Sequence, residues 1–297
     1  MKKKSTGIFF ITLLGVLLAT YALFAMHSEK LRFKKRQECW NLLSKAVRVE
    51  VLHFNASAGI IIKDMRYGWM FSYNGEVKFP AASLIKIPIL AASFKAAEEG
   101  KLSLRQEVTL QSKDKALGSG VLKEMPAGYK LSMEQIIATM ITESDNTATN
   151  ILIGSLGFEY LNGFFKEAGL TQTNLSRKMM DFKYRKYGVE NYTSAADMAM
   201  LLEKFYRQDF LNPFVSKKCV WFLKQQKIND RIPARLPEGT IVAHKTGLER
   251  KVCHDVGIIY APKGEVLICV LTRGAKSTKA AKEFIARLAR QAYLCYQ

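Results

Sequence analysis

Strand-like patterns lie towards the two ends of this 297-residue chain, and a long helical stretch separates them. Apolar alternation and β-branched runs occur before Ala81 and again after Glu238, whereas the pattern from Ala81 to about Gln226 is helical. Isolated strands are unstable, so the two ends are expected to build one sheet together. The stretch between them then forms a separate helical lobe, and the seam between sheet and lobe is the natural place for a functional site.

Short runs predict the individual elements. Before the helical stretch, a helix is predicted over Leu31–Ala46, followed by strands in VRVEVLHF, SAGIIIKDM and GWMFSYNGEVKF. The Asn74-Gly75 pair in the last of these runs predicts a tight hairpin turn. After the helical stretch, strands are predicted in GTIVAHKTG, CHDVGIIYAP and EVLICVLTRG, and a final helix from about Ser277 to Tyr293.

The N-terminus carries a basic and apolar pattern that is typical of membrane targeting. Three lysines precede the apolar run Gly7–Met26, which has about the ~20 residues that a helix needs to cross a bilayer. We interpret 7–26 as a transmembrane anchor, with a cytoplasmic basic start at 1–6 and a basic linker at 27–36; a cleaved signal peptide is the alternative. The folded domain is expected over 37–297, with the helical lobe, about 81–226, inserted in the sheet lobe. Positive charge flanks the run on both sides, so the charge distribution does not decide its orientation.

The formal net charge is +19, yet the lysines and arginines are spread along many predicted helices. A nucleic-acid binder would concentrate them with aromatic residues on one element, so we expect no nucleic-acid partner. A basic surface of this kind suits an anionic cell wall or anionic lipid. The five cysteines lie far apart without a C-x-x-C pair, which predicts neither a zinc site nor a dense disulfide framework. We expect no metal and no cofactor, and a monomer.

Three short motifs carry residues that are suited to acyl transfer. In FPAASLIKIPIL, Phe79–Leu90, the polar side chains are Ser83 and Lys86, three residues apart and therefore on one face of a helix. Burying a lysine charge alone is costly, so this lysine needs a partner, and activation of the serine would supply one. The tripeptide SDN begins at Ser144 between two helical patterns, and HKTG, 244–247, ends a β-rich run and opens a turn.

The order S-x-x-K, SDN and KTG resembles the signature of the class A β-lactamases and penicillin-binding proteins. The resemblance extends from about Leu31 to Tyr293 and implies an α+β fold, with a helix-flanked antiparallel sheet beside an all-helical lobe. It implies a serine hydrolase that forms an acyl-enzyme with a small-molecule β-lactam or a peptidoglycan peptide. Such substrates lie outside the cytoplasm. We therefore expect a single-pass protein of the cell membrane with an extracytoplasmic catalytic domain, or, as the alternative, a protein secreted after signal cleavage.

A serine hydroxyl becomes a good nucleophile when a base takes its proton. Ser83 is the candidate nucleophile and Lys86 the candidate base, a role that requires the depressed lysine pKa produced by burial beside another cation. By the resemblance, Lys245 supplies that cation and also holds a substrate carboxylate. Ser144 then relays a proton to the leaving nitrogen.

The resemblance assigns the remaining positions of the site. Asn146 holds the candidate base and the substrate amide, Thr246 donates a hydrogen bond to the carboxylate, and Gly247 belongs to the same substrate-binding segment. The backbone N–H groups of Ser83 and Leu248 form an oxyanion hole, which stabilises the charge that develops in the transition state.

Two histidines and an aspartate offer an alternative site. His244, His254 and Asp255 suit a Ser-His-Asp triad by residue type. Nothing resembling a G-x-S-x-G elbow surrounds a serine in this chain, however. Structural roles are therefore predicted for both histidines.

One position departs from the class A β-lactamase pattern. In those enzymes an R-x-E segment after SDN supplies a glutamate that activates the deacylating water. Here Arg177 fits the segment, but Met179 stands where the glutamate is expected, and a thioether cannot accept a proton at neutral pH. Asp181 is the candidate replacement base, with Glu190 further along the chain, and either would need a rearranged loop to reach the site.

The departure leaves three interpretations open. The first is a β-lactamase-family hydrolase that acylates on Ser83 and deacylates. The second is a penicillin-binding-protein-like D-alanyl-D-alanine peptidase acting on peptidoglycan stems, which does not need the glutamate. The third is a non-catalytic protein that binds the cell wall or senses β-lactams and stays acylated.

Overall fold

The computed structural model describes residues 3–297, apart from the side chains of residues 3–13 and 16. The chain divides into two compact units, residues 1–48 and 49–297. Helix α1 is Lys3–His53, and its residues up to 48 form the described part of the first unit. Within the described residues, no helix has both the length and the apolar character needed to cross a membrane. The predicted anchor and the basic start before it fall partly on residues outside that description.

The second unit is built on a five-stranded antiparallel sheet that joins the two ends of the chain, as predicted. Its strand order is β2-β1-β9-β8-β7. In the β1–β9 pair, Ile60 lies opposite Val270 and Ile62 opposite Ile268. The strands are β1 Ser57–Asp64, β2 Met70–Tyr73, β7 Ile241–Glu249, β8 Val252–Ala261 and β9 Gly264–Arg273.

Two short strand pairs lie outside this sheet and lead into the helical lobe. In each pair the two strands run antiparallel. They are β3 Phe79–Pro80 with β6 Tyr192–Thr193, and β4 Glu107–Thr109 with β5 Lys130–Ser132.

Seven further helices complete the described part of the second unit. Helix α8 packs on strands β8 and β9, while helix α6 packs on strands β1, β8 and β9 of the same sheet. Helices α2, α3, α4 and α7 contact one another in the helical lobe. Their bounds are α2 Lys86–Glu98, α3 Met133–Thr142, α4 Asn146–Glu167, α5 Phe182–Lys186, α6 Ala195–Arg207, α7 Pro213–Lys224 and α8 Thr278–Leu294.

Helix α3 shows how the sequence directs this packing. The Ser132 hydroxyl accepts a hydrogen bond from the Gln135 N–H, and the Gln135 side chain accepts one from the Ser132 N–H. This capping box satisfies two of the N–H groups that a helix start leaves unpaired. The apolar stripe that follows, Ile136, Ile137, Met140 and Ile141, is completely buried in the lobe.

Two local predictions were wrong. The run VRVEVLHF, residues 47–54, was predicted as a strand but continues helix α1 to His53. Within this stretch Glu50 forms an ion pair with Arg287 of α8, and tertiary contacts of this kind override the weak strand preference of alternating valines. The Asn74-Gly75 turn does not close a hairpin between its flanking runs either. Strand β2 pairs with β1, while Phe79–Pro80 pairs with β6.

Candidate active site

Ser83 lies on a single 3₁₀ turn, Ala82–Ile85, directly before helix α2. In a 3₁₀ turn the side chains at i and i+3 eclipse, so Ser83 and Lys86 project from the same side. Ala82 has φ 44, a left-handed conformation that is strained for a residue with a Cβ and is found at functional sites. Pro88 falls in the first turn of α2, where its missing N–H has no helical partner to lose.

Lys86 is fully buried and surrounded by oxygen atoms of the SDN loop. Its Nζ donates to the Ser144 carbonyl oxygen over 2.5 Å and to Asn146 Oδ1 over 2.9 Å. The Ser144 Oγ lies 3.3 Å from the same Nζ. The lysine that stands out in an otherwise apolar sequence is therefore held by polar groups from a loop that lies about sixty residues further along the chain.

Lys245 approaches the same serine from the sheet. It is fully buried on β7, and its Nζ donates to Ser144 Oγ over 2.8 Å and to the Thr246 carbonyl oxygen over 2.9 Å. The hydroxyl of Ser144 thus lies between two lysines, one from α2 and one from β7. Ser144 itself has φ 54, a second strained residue at this site.

The two lysines differ from ordinary lysines in their pKa values. Burial lowers the pKa of Lys86 well below its usual value, and the charge of Lys245 lowers it further, while Asp145 acts in the opposite direction. Burial also lowers the pKa of Lys245 to about 7, a shift that Asp255 opposes and Arg231 reinforces. Burial beside a second cation therefore favours the uncharged form of Lys86, in which the amine has the free lone pair that a base requires.

The aspartate of the SDN loop, Asp145, has a structural role and holds the loop in place. Asp145 caps helix α4, because its Oδ1 accepts from the Ala148 N–H over 2.8 Å. Its Oδ2 accepts from the N–H groups of Val121 and Leu122 over 2.7 and 2.8 Å. Gly120 permits this approach, since a Cβ there would lie 2.2 Å from Asp145 Oδ2.

The KTG segment lies in the middle of β7 and not at a turn, which differs from the prediction. Strand β7 is at the edge of the sheet, so its outer side faces the Ser83 turn instead of another strand. Gly247 allows the close approach, because a Cβ at this position would lie 3.3 Å from Leu84 Cγ and 3.2 Å from His254 Cδ2. An edge strand has outward N–H groups without a sheet partner, as an oxyanion hole requires.

A cavity of about 500 Å³ opens at this seam between the sheet and the helical lobe. Lys86 and Lys245 are completely buried behind its wall. The predicted site residues that line it are Ser83, Ser144, Asn146, Thr246 and Leu248. The structure therefore brings together residues from three separate motifs around one space that can hold a substrate.

Neither histidine takes part in a serine triad. His254 is fully buried, its Nε2 lies 2.8 Å from the Pro80 carbonyl oxygen, and the Thr272 N–H donates to its Nδ1 over 3.0 Å. A carbonyl can only accept, so Nε2 carries a proton. Nδ1 accepts from the Thr272 N–H and therefore carries none, so the ring is neutral. Burial lowers the pKa of His254 to about 4.

His244 is paired with Asp255 behind the catalytic strand. Its Nδ1 lies 2.9 and 3.1 Å from the two carboxylate oxygens of Asp255, and its Nε2 lies 3.0 Å from Asn229 Oδ1. Asp255 also accepts from the Ile232 N–H over 3.0 Å. The pair therefore connects β7 and β8 to the segment that carries Arg231.

Arg231 is a buried cation that lines the cavity, and no motif in the sequence marks it as part of the site. It is 1% exposed, and its Nε donates to Cys253 Sγ over 3.3 Å while one terminal nitrogen contacts Asp230 over 2.6 Å. It stands in the loop before strand β7 and belongs to none of the three motifs. Only the tertiary fold reveals its proximity to Lys245, whose pKa it lowers.

The structure does not bring Asp181 to the catalytic cavity. Its carboxylate caps the short helix α5 by accepting from the Tyr184 N–H over 3.3 Å. It lines an adjacent cavity instead. Met179 does line the catalytic cavity, and its main chain is held on both sides by Asn150, whose Oδ1 accepts from the Met179 N–H over 2.8 Å and whose Nδ2 donates to the Met179 carbonyl over 3.1 Å.

Glu190 lines the catalytic cavity, but its carboxylate is already engaged. Arg177 contacts it at 2.6 and 2.9 Å, and the Asn191 N–H donates to it over 2.8 Å. Glu249 at the end of β7 accepts from both Arg177 and Arg185, at 3.1 and 2.8 Å. These ion pairs fasten the segment around Met179 to the catalytic strand, and they engage the carboxylate of Glu190 and the Oε1 atom of Glu249.

Comparison with known proteins places this chain in a family. The model of the β-lactamase enzyme family matches residues 42–296. β-Lactamase VEB-1 of Pseudomonas aeruginosa is 28% identical over 247 residues, which cover 78% of this chain and 82% of that protein.

Two solved structures are similar in fold and in sequence. A β-lactamase from Sphaerobacter thermophilus is 30% identical with a TM-score of 0.77, covering 85% of this chain and 96% of that chain. A leucine-to-glutamate variant of PBP-A, solved as an acyl-enzyme complex with penicillin G, is 30% identical with a TM-score of 0.78, covering 86% of this chain and 96% of that chain.

Proposed function

We propose that this chain, which belongs to the β-lactamase enzyme family, is a serine hydrolase that forms an acyl-enzyme on Ser83 with a β-lactam or related amide and hydrolyses it. One observation carries the proposal. Lys86 and Lys245, both buried and both with depressed pKa values, meet at the hydroxyl of Ser144 behind the cavity that Ser83 lines. A buried pair of lysines is costly for stability, and acyl transfer gives it a function.

Acylation begins with transfer of the Ser83 proton to the neutral amine of Lys86. The serine oxygen attacks the carbonyl carbon, and the charge that develops on the carbonyl oxygen is stabilised by the N–H groups of Ser83 and Leu248. Ser144 then gives its hydroxyl proton to the leaving nitrogen and recovers one from the protonated Lys86. The bond to nitrogen breaks, and the acyl group remains on Ser83.

The charged form of Lys245 has two roles in this scheme. Its position behind Thr246 suits recognition of a substrate carboxylate, and its charge favours the neutral form of Lys86. Arg231 adds a further positive charge at the cavity wall. Asn146 holds Lys86 through Oδ1, while its Nδ2 donates to the Leu117 carbonyl over 2.9 Å and so orients the side chain.

Deacylation is the slow step in this proposal. Met179 cannot accept a proton, Asp181 caps a helix outside the cavity, and Glu190 is bound to Arg177. The acyl-enzyme is therefore hydrolysed slowly, by a water molecule that no carboxylate activates as a general base. Its lifetime decides which reaction the protein performs.

A D-alanyl-D-alanine peptidase is the second candidate function. The lack of a free carboxylate base for deacylation favours it. A peptidase acts on peptidoglycan stems without the glutamate of class A β-lactamases, and the carboxylates in the wall of the cavity are ion-paired. Similarity to PBP-A, whose variant was solved as an acyl-enzyme complex with penicillin G, is compatible with this candidate.

Labelling with a fluorescent penicillin tests the proposal. Covalent label on Ser83 that is released within seconds supports the hydrolase, whereas label that persists for hours together with D-alanine release from a diacyl-Lys-D-Ala-D-Ala peptide supports the peptidase. Persistent label without peptide cleavage identifies a sensor or binding protein. A lack of any label contradicts acyl-enzyme formation with β-lactams.

We also propose that the apolar run at 7–26 anchors the protein in the cell membrane with the catalytic domain on the extracytoplasmic side. The support is the length of the run and the location of the substrates. Protease treatment of intact spheroplasts tests this: the catalytic domain should be digested while the protein fractionates with membranes. Recovery of the chain in the soluble secreted fraction would favour signal cleavage instead.

A further inference from the structure

A second cavity, of about 870 Å³, adjoins the catalytic cavity. Met179, Met180 and Phe182 line both cavities, so this short segment is their common wall. Helix α4 contributes Ile151 and Gly154 to the lining of the second cavity. A molecule that lies at Ser83 can therefore extend into it by passing over a wall made largely of two flexible methionine side chains.

The second cavity is strongly basic. Four lysines line it, and all four are exposed. In the described part of the chain no carboxylate lies within ion-pair distance of their ammonium groups, while the two aspartates of the lining accept from local backbone N–H groups at helix starts. Four lysines against two aspartates leave the lining with a net charge of about +2, so the cavity presents net positive charge to a ligand. The lysines are Lys113, Lys115, Lys178 and Lys183, and the aspartates are Asp114 and Asp181.

We propose that this cavity binds the acidic peptide arm of an acyl substrate whose reactive carbonyl lies at Ser83. The inference rests on the proposed function, and it defines the substrate class more narrowly: an amide or lactam that carries one or more carboxylates on its acyl side. A small neutral antibiotic would occupy the catalytic cavity alone.

The shape of the site favours a peptide over a lipid surface. Two ligand-binding features coincide here, an open concave space of about 870 Å³ and hydrogen-bonding side chains beside the lysines. Thr109, Gln111 and Ser155 line the same cavity and can bond to peptide amides. A membrane surface is flat and cannot follow this concave space, whereas a peptide arm can lie along it.

The first experiment measures binding without acylation. Fluorescence polarisation is recorded for a labelled Glu-Glu-Ala peptide and for its neutral Gln-Gln-Ala analogue. We expect the acidic peptide to bind at least tenfold more tightly at low salt, and this advantage to be lost in Lys113→Glu/Lys115→Glu and in Lys178→Glu/Lys183→Glu. The matched control is Lys166→Glu/Lys276→Glu, which changes the net charge equally at exposed lysines that line neither cavity.

Equal binding of the two peptides, or equal loss in the control variant, would overturn the proposal. So would binding of phosphatidylglycerol vesicles that needs the same four lysines while the acidic peptide does not bind. These outcomes are independent of whether Ser83 reacts.

A second experiment connects the cavity to catalysis. Two penicillins with the same long acylamino arm, ending in a carboxylate or in the corresponding amide, are compared by their second-order rate constants for labelling. In the unmodified protein at low salt, the penicillin with the carboxylate arm should label about tenfold faster than the one with the amide arm. In the lysine variants the two penicillins should label at equal rates. If both arms label the protein equally fast, the proposed function stands and the substrate inference fails. If neither penicillin labels it, acylation is refuted, and the peptide measurement alone decides the inference.

Discussion

The Nζ of Lys245 donates a hydrogen bond to the Oγ of Ser144 across 2.8 Å and so joins two residues that are 101 positions apart. The same Oγ lies 3.3 Å from the Nζ of Lys86. Because all three side chains are buried, the hydroxyl of Ser144 is the link through which a proton can pass between the helical lobe and the sheet. This relationship underlies the first two predictions.

Ser144→Ala should slow acylation by about 10²–10⁴-fold, the usual contribution of a positioned acid or base. The variant lacks the hydroxyl that protonates the leaving nitrogen, although the Ser83 turn remains intact. Stopped-flow labelling with a fluorescent penicillin measures the rate. Ser93→Ala is the matched control, since Ser93 is equally buried but donates only to the Ile89 carbonyl within α2. An equal loss in both variants would mean that Ser144 acts through stability alone.

The acylation rate should fall as the pH rises through about 7. Lys245 has a pKa of about 7, so above that pH it loses the charge with which it attracts a substrate carboxylate. Lys245→Arg should move this descending limb far to higher pH, because a guanidinium stays charged. The measurement is the pH profile of the second-order acylation constant. An unchanged limb in the arginine variant would assign it to another group.

The motifs were sufficient to predict most of the catalytic cavity. Ser83 and Lys86 stand out as polar residues in an apolar run, whereas Ser144 and Lys245 were assigned through the resemblance of SDN and KTG to the family signature. The structure brings the three motifs together at one cavity. Arg231 and Glu249 carried no such signal, since each is one of many charged residues and its place at the cavity depends on long-range packing. The sheet was predictable from strand runs at both ends, but residues 47–54 were not, because Glu50 gains its partner Arg287 only in the folded chain.

His254 should lower the free energy of unfolding as the pH falls from neutral towards 4. Its pKa is about 4 in the folded protein and about 6.5 when unfolded, so the neutral ring contributes its full stability above pH 6.5 and loses it as the pH falls towards 4. The expected loss in free energy of unfolding is up to about 3 kcal/mol. Urea unfolding of the wild type and of His254→Gln between pH 7 and 4 measures it. Parallel curves for the two proteins would contradict this assignment.

Met179→Glu should accelerate release of a bound acyl group. Asn150 holds the main chain of residue 179 on both sides, and the side chain lines the cavity with Ser83, so a carboxylate there can activate water. General-base assistance amounts to about 10²–10⁴-fold when well aimed, and less when the loop is misplaced by an ångström. The lifetime of the penicillin label measures the effect.

Two variants control this experiment. Met180→Glu adds the same charge one residue further along the common wall, and should not shorten the lifetime to the same extent. Asp181→Asn should leave the unmodified protein's deacylation unchanged, since Asp181 caps α5. A collapse of turnover in Asp181→Asn would show that Asp181 is already the base and that Met179 does not occupy the position of the missing glutamate.

Mass spectrometry of the protein after reaction with penicillin tests acyl-enzyme formation on Ser83 most directly. We expect one added penicilloyl group, located on the peptide that contains Ser83, and none on Ser83→Ala with the fold intact by circular dichroism. A penicilloyl group that persists on Ser83→Ala, or that maps to a different residue in the wild type, would contradict it.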